Sequence, residues 1–126
     1  LDAILLNRPL AERFTLDAAW STLFIDLTGY RVRREEQVEA VREQVRSMVE
    51  PLGRKVTAVI DYDGCVIDPV VAETWFDMVR DVHARFYDQA SRYTTSAFMR
   101  LKLGDELRRR EMAPHVFETA GRPTVE

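Results

Sequence analysis

Two carboxylates stand two residues apart near the middle of the chain, in Val59-Ile60-Asp61-Tyr62-Asp63-Gly64-Cys65-Val66-Ile67-Asp68. At the end of an apolar run such a pair can hold a cation, or it can accept backbone N–H bonds in a bend. A calcium loop opening at Asp61 would need an oxygen ligand at position 65, glycine at 66 and glutamate at 72. The chain has Cys65, Val66 and Ala72 there. The residues therefore favour a turn shaped by Asp61 and Asp63, with Asp68 capping the helix that follows. No catalytic residue, metal ligand or cofactor is assigned from them. Cys65, beside these carboxylates, should keep a high pKa, since nearby negative charge disfavours the thiolate. It has no histidine partner in sequence and reads as a small buried apolar residue.

A second cluster follows later. Arg92, Thr94, Thr95 and Ser96, with Arg100 and Lys102 behind them, set hydroxyls and cations around the start of a predicted helix. Such an arrangement can hold a phosphate on free N–H groups. The competing reading, which the residues favour, is that the hydroxyls simply cap the helix.

The elements that must position these groups follow from periodicity. Arg13-Phe14-Thr15-Leu16 alternates as a half-buried strand does, and Leu23-Phe24-Ile25-Asp26-Leu27 reads as its hairpin partner. Val38, Val41, Val45, Met48 and Val49 fall on one helical face, and Glu39, Arg42, Glu43 and Arg46 lie outside it as a solvated face. Glu50-Pro51-Leu52-Gly53 closes that helix. The β-branched run through Val56, Val59 and Ile60 predicts a buried central strand. Asp68-Pro69 then opens a helix whose stripe is Val71, Trp75, Met78, Val79, Val82 and Phe86. That stripe reads as core, with His83 at its boundary. Ser91 to Thr94 predicts a short strand, and Phe98, Met99, Leu101, Leu103 and Leu107 predict the apolar side of a third helix. Gly104 inside it costs about 1 kcal/mol unless another element packs close. Arg108, Arg109 and Arg110 suit the last turn of that helix. Ala113 to Glu118 predicts a small edge strand, and no internal repeat is evident.

The order strand-strand-helix-strand-helix-strand-helix predicts one α/β domain. It has a small mixed sheet of about four strands and three helices packed mainly on one face. The domain should run over 12–119, after a linker at 1–11 and before a tail at 120–126. A chain of 126 residues can bury one core. With 46% hydrophobic and 31% charged residues and a net charge of −3 of mixed sign, it offers no basic field for nucleic acid or anionic lipid. Ile4-Leu5-Leu6 is too short for a membrane span or signal segment, and one cysteine cannot form an internal disulfide. A cytoplasmic location is expected. The start at Leu1, with an amphipathic run into Pro9, leads us to expect a fragment of a longer protein.

Three resemblances attach to these residues. The strand running into Asp61-Tyr62-Asp63-Gly64 looks like the first motif of haloacid-dehalogenase-type phosphatases. That likeness implies Asp61 as nucleophile and Asp63 as acid, with magnesium neutralising the phosphate. The chain departs from this family in three ways. The strand lies mid-chain, Asp77 and Asp81 sit on the predicted helix rather than on a later strand, and no lysine strand-end follows. The hairpin, and the run from Ile60 to Asp68 before a helix, resemble a STAS domain, a small α/β partner-binding module. Where phosphorylation-switched members of that family carry a serine, this chain has Pro69 and then Val70, so the likeness implies the layout without the switch.

The run Arg92-Tyr93-Thr94-Thr95-Ser96-Ala97-Phe98-Met99-Arg100-Leu101-Lys102-Leu103-Gly104-Asp105, with Ala113 to Glu118 behind it, is similar to the C-terminal region of long acyl-CoA:acetate/3-ketoacid CoA-transferase-like proteins. This resemblance covers roughly Phe14 to Thr119. It implies a non-catalytic accessory domain whose partner is the catalytic part of the parent chain, with homo-oligomerisation a further option. Under it, Arg92, Thr94, Thr95, Ser96, Arg100 and Lys102 would be candidates for the phosphates of CoA. A free-standing STAS-like partner-binding module and the magnesium-dependent phosphatase are the alternatives.

Overall fold

The computed structural model describes residues 8–118, so most of the expected linker and all of the expected tail lie outside the described residues. The elements are β1 (Phe14–Asp17), β2 (Thr22–Asp26), β3 (Arg31–Val32), α1 (Glu35–Val49), β4 (Val56–Asp61), β5 (Val66–Ile67), α2 (Pro69–Phe86), β6 (Tyr87–Tyr93) and α3 (Ala97–Arg109). Short 3-10 turns precede β1, at Leu10–Arg13, and follow α1, at Glu50–Leu52. The main sheet has the order β1-β2-β4-β6, with β1 antiparallel to β2 and the other neighbours parallel. The structure is thus the mixed α/β layer that the order of elements predicts. No helix among the described residues is long and apolar enough to cross a membrane.

Alternation along the strands makes the two faces of the sheet unlike. Val56, Ala58 and Ile60 of β4, with Leu23 and Ile25 of β2, are buried. Val41 of α1 and Trp75, Met78, Val79 and Val82 of α2 meet the Ile25–Ile60 side. The α2 stripe is packed as its periodicity predicts, and Trp75 is 1% exposed. Each such aliphatic or aromatic side chain contributes about 1.5–3 kcal/mol by leaving water. On the opposite face the register aligns Thr15, Phe24, Val59 and Ser91 in one row. Phe24 in that row is 45% exposed.

The parallel ladder between β2 and β4 continues past the sheet. Leu27 N–H donates to the Asp61 carbonyl at 2.9 Å and Gly29 N–H to the Asp63 carbonyl at 3.0 Å. Beyond them β3 and β5 pair in parallel, Arg31 beside Val66 and Val32 beside Ile67. Between each long and short strand lies a four-residue turn, Leu27-Thr28-Gly29-Tyr30 and Tyr62-Asp63-Gly64-Cys65. Each is closed by an N–H to carbonyl bond of 2.9 Å. Glycine occupies the third position in both, with φ of +69° and +70°, as a type II turn requires. The chain therefore contains a repeat of Ile-Asp-x-x-Gly, at Ile25 and again at Ile60, each copy ending in a short strand and a helix. No such repeat is evident from the sequence alone.

Other differences have physical reasons. β6 runs from Tyr87, directly after α2, where a strand is expected only from Ser91. Its residues Asp88 and Gln89 are exposed near the sheet edge and lack the apolar alternation that marks a strand. The expected strand over Ala113 to Glu118 reduces to one bridge, Phe117 to Tyr93. On α3 only Leu103, Gly104 and Leu107 are buried, while Phe98 and Leu101 are 73% and 71% exposed. Gly104 is where the Pro114 carbonyl comes within 3.2 Å of the site a Cβ would take, so a second segment does pack close. Arg42 reaches from the solvated face of α1 to Asp81 of α2.

Glycine substitutions test the stacked turns. Gly53 has φ +67° with open space around it, whereas a Cβ on Gly64 would lie 3.3 Å from the Gly29 nitrogen. Gly53→Ala should cost about 1 kcal/mol from backbone strain alone, and Gly64→Ala about 2 kcal/mol or more, because backbone must also shift. Urea denaturation measures both, and equal costs would contradict the close stacking.

Candidate functional site

The two turns place three carboxylates at the carboxyl ends of β2 and β4. Asp26 and Asp61 are register partners, and each side chain accepts the N–H two residues ahead at 2.9 Å, from Thr28 and Asp63 respectively. These are matched Asx turns, which pre-bend the chain where each strand must leave the sheet. Asp26 also accepts the Arg8 guanidinium at 2.5 Å. Burial pushes the Asp26 carboxyl up, but the Thr28 hydrogen bonds and Arg8 outweigh it and hold the group below its ordinary value. Among the described residues Asp61 makes no ion pair. Burial raises it, the Asp63 N–H counters only in part, and the charges of Asp26 and Asp63 add to the rise.

Asp63 points the other way, to the start of α3. Its Oδ1 accepts the Thr95 N–H at 2.8 Å and the Thr95 hydroxyl. These bonds hold its carboxyl below the ordinary range. A general acid needs a raised pKa, so Asp63 is set up to stay ionised rather than to give a proton. Asp68 caps α2 by accepting the Val70 N–H at 2.9 Å.

The expected phosphate cluster does not converge. Arg92 departs from the expected cluster: its side chain is 3% exposed and lies among Tyr62, Trp75 and Tyr87 in the core. It shares a register row with Phe14, Ile25 and Ile60, which face the helices. Thr94 is buried and its hydroxyl accepts the Ser96 N–H at 3.2 Å. The Ser96 hydroxyl caps α3 by accepting the Met99 N–H at 3.1 Å. Arg100 donates to the Thr94 carbonyl at 3.0 Å. Lys102 is half-buried and makes no ion pair among the described residues. The anion held at this helix start is thus the chain's own Asp63, met by Thr95.

Several participants escaped the sequence. Arg13, 1% exposed, donates to the Asp26 carbonyl at 3.1 Å and the Thr28 carbonyl at 2.9 Å, and lies over the Tyr30 ring. Alternation marks Arg13 as an ordinary charged strand residue, and only the repeated Ile-Asp-x-x-Gly could have pointed to a first turn in need of a partner. Cys65 is buried, and burial, not the neighbouring carboxylates, pushes its thiol up to about 12, with Arg13 pulling the other way. Among the described residues no three His, Cys, Asp or Glu side chains gather as metal ligands.

Beside the turns, the sheet face that no α-helix among the described residues covers carries a groove of about 300 Å³. Phe24, Val59 and Thr15 supply apolar and neutral surface there, Asp26 and Asp61 line it as acids, and Arg8 and Glu12 also border it. Compared with known protein families, curated proteins and solved structures, the chain matches none.

The Asp63 clamp makes a pH prediction. A carboxyl held low in the fold stabilises above its unfolded value, near about 3.9, and loses that stabilisation as pH falls through the lower folded value. Asp63→Asn should therefore cost about 1 kcal/mol at neutral pH. The gap from wild type should close below about pH 3.9, as Asp63 takes up its proton in the wild type. Thermal melts of both proteins from pH 7 to pH 2.5 measure it, and a gap that stays constant with pH would show that the charge of Asp63 contributes nothing.

Proposed function

We propose that this chain is a non-catalytic accessory domain of a CoA-transferase-like enzyme, whose parent moves CoA between acyl groups. In this reading the uncovered sheet face is the surface that packs against the catalytic part. The observation that carries it is the row Thr15, Phe24, Val59 and Ser91, which no helix among the described residues covers and in which a phenylalanine stands 45% exposed. A strip with Phe24 and Val59 at its centre, bordered by Asp26, Asp61 and Arg8, has the make-up of a protein-contact surface. The roles of Asp61, Asp63, Asp68, Thr94, Thr95 and Ser96 support the same reading, since each side chain serves a turn or a cap. The resemblance of the run from Arg92 to Asp105 to CoA-transferase-like C-terminal regions is what points to such a parent. The α/β layer with a strand-turn-helix after the central strand accords with a STAS-like partner-binding layout.

Phe24→Lys tests the surface. In this chain alone the change should move the urea midpoint little, because Phe24 faces solvent. In the natural full-length protein it should free the domain, seen as faster limited proteolysis at the junction and a separate melting transition. An unchanged cleavage pattern would remove the sheet face as the contact, and a natural gene product without a CoA-transferase catalytic part would remove the parent. The phosphatase alternative is separated by incubating the chain with p-nitrophenyl phosphate and magnesium. We expect no turnover that depends on Asp61, and turnover abolished by Asp61→Asn would overturn the accessory reading.

A further inference from the structure

We infer that the end of the domain opposite the stacked turns is a docking site for an acidic polypeptide segment that carries an apolar side chain. The site is built from the tip of the β1–β2 hairpin and the residues that follow α1. Trp20 stands at that tip and is 80% exposed, the barest large hydrophobic side chain among the described residues. Its part in the turn is played by backbone alone. The Trp20 N–H goes to Asp17 Oδ1 at 3.2 Å, and its carbonyl accepts the Thr22 hydroxyl at 3.0 Å. Neither bond needs an indole.

The tip is held far more firmly than a hairpin end requires. Arg54 donates to the Ala18 carbonyl and to the Ser21 hydroxyl oxygen, each at 2.7 Å. The Thr57 N–H donates to the Ser21 carbonyl at 2.8 Å. Ser21 has φ of +49°, in the left-handed region that favours glycine. A serine there supplies the oxygen that receives Arg54, so a strained backbone is kept in place by the bonds around it. Trp20 is therefore displayed on a rigid support. An aromatic anchor ordered in advance loses little freedom on binding, and tryptophan is among the side chains that dominate interface energies.

Charge decides the partner. Arg54 also lines an open groove of about 430 Å³, together with Lys55, Arg85, Gly53, Glu50 and Phe86. Glu50, the carboxylate among these, is taken by Arg46 at 2.6 Å. Asp81, the partner of Arg85, is shared with Arg42. The helix dipole accounts for Arg85 in the last turn of α2, and the hairpin tip accounts for Arg54, but neither accounts for Lys55. The groove is thus cationic, while Asp26 and Asp61 make the other end of the same strands acidic. That polarity draws an acidic segment to the Trp20 end and turns it away from the Phe24 face. Three cations in a chain of net charge −3 fall short of the field that nucleic acid or an anionic membrane needs.

Random peptides displayed on phage are the probe. Selection on the chain at low salt should enrich sequences in which an apolar residue is flanked by Asp or Glu. A synthetic copy of an enriched peptide should shift the Trp20 indole N–H and the Lys55 amide in NMR spectra. Trp20→Ser and Lys55→Glu should each weaken its binding by about tenfold or more. Both side chains are exposed, so the urea midpoints of these variants should stay where they are. Phe24→Lys, at the other surface, should leave the peptide affinity unchanged. No enrichment, enrichment of basic or uncharged sequences, or an affinity that Trp20→Ser and Lys55→Glu leave intact overturns the site. Binding to phosphatidylserine vesicles that Trp20→Ser abolishes would assign this end to a membrane and overturn it equally.

Discussion

The hydrogen-bond ladder between β2 and β4 does not stop at the edge of the sheet, and the rest of the structure depends on that continuation. Two strands lying parallel and in register leave the sheet through turns of the same type. One turn donates to the other through Gly29 and the Asp63 carbonyl. The distance between the turns is set by glycines at positive φ, because a side chain on Gly64 would meet the Gly29 backbone. Once the turns stack, β3 and β5 must pair, and α1 and α2 must start from matching points over one face.

This constraint also decides what the carboxylates do. Asp26 and Asp61 each hold their own turn, and Arg13 braces the first turn through its carbonyls. Asp63, at the second position of the second turn, projects to the start of α3, where Thr95 receives it. The helix that follows β6 is thereby tied to the central strand by a charge-assisted contact of the kind a phosphate could have made. Both helices over the sheet serve one face, and among the described residues no α-helix lines the groove at the Phe24 row.

Much of this was legible in the residues, because periodicity is a local property. The α2 stripe from Val71 to Phe86, the β1–β2 hairpin and the β-branched centre of β4 each announce themselves. Asp68 and Ser96 cap helices where their types say they should. What escaped depends on partners distant in sequence. Arg92 looks like a neighbour of Thr94 along the chain, but strand alternation sends it through the sheet into the core. The extent of β6 was hidden because its exposed positions carry Asp88 and Gln89. Phe98 and Leu101 are apolar by type, yet no neighbour among the described residues covers them. The repeat of Ile-Asp-x-x-Gly is short and its copies lie far apart, so its meaning appears only when the two copies stand side by side.

Native-state hydrogen exchange of the Leu27 and Gly29 amides tests the stacked turns most directly. Both N–H groups lie in turns that would ordinarily exchange fast. If the ladder runs through them, they should be protected to within about tenfold of the β4 amides and lose protection together with that strand on urea titration. Exchange of Gly29 at the rate of an unstructured peptide, with β4 still protected, would contradict the account.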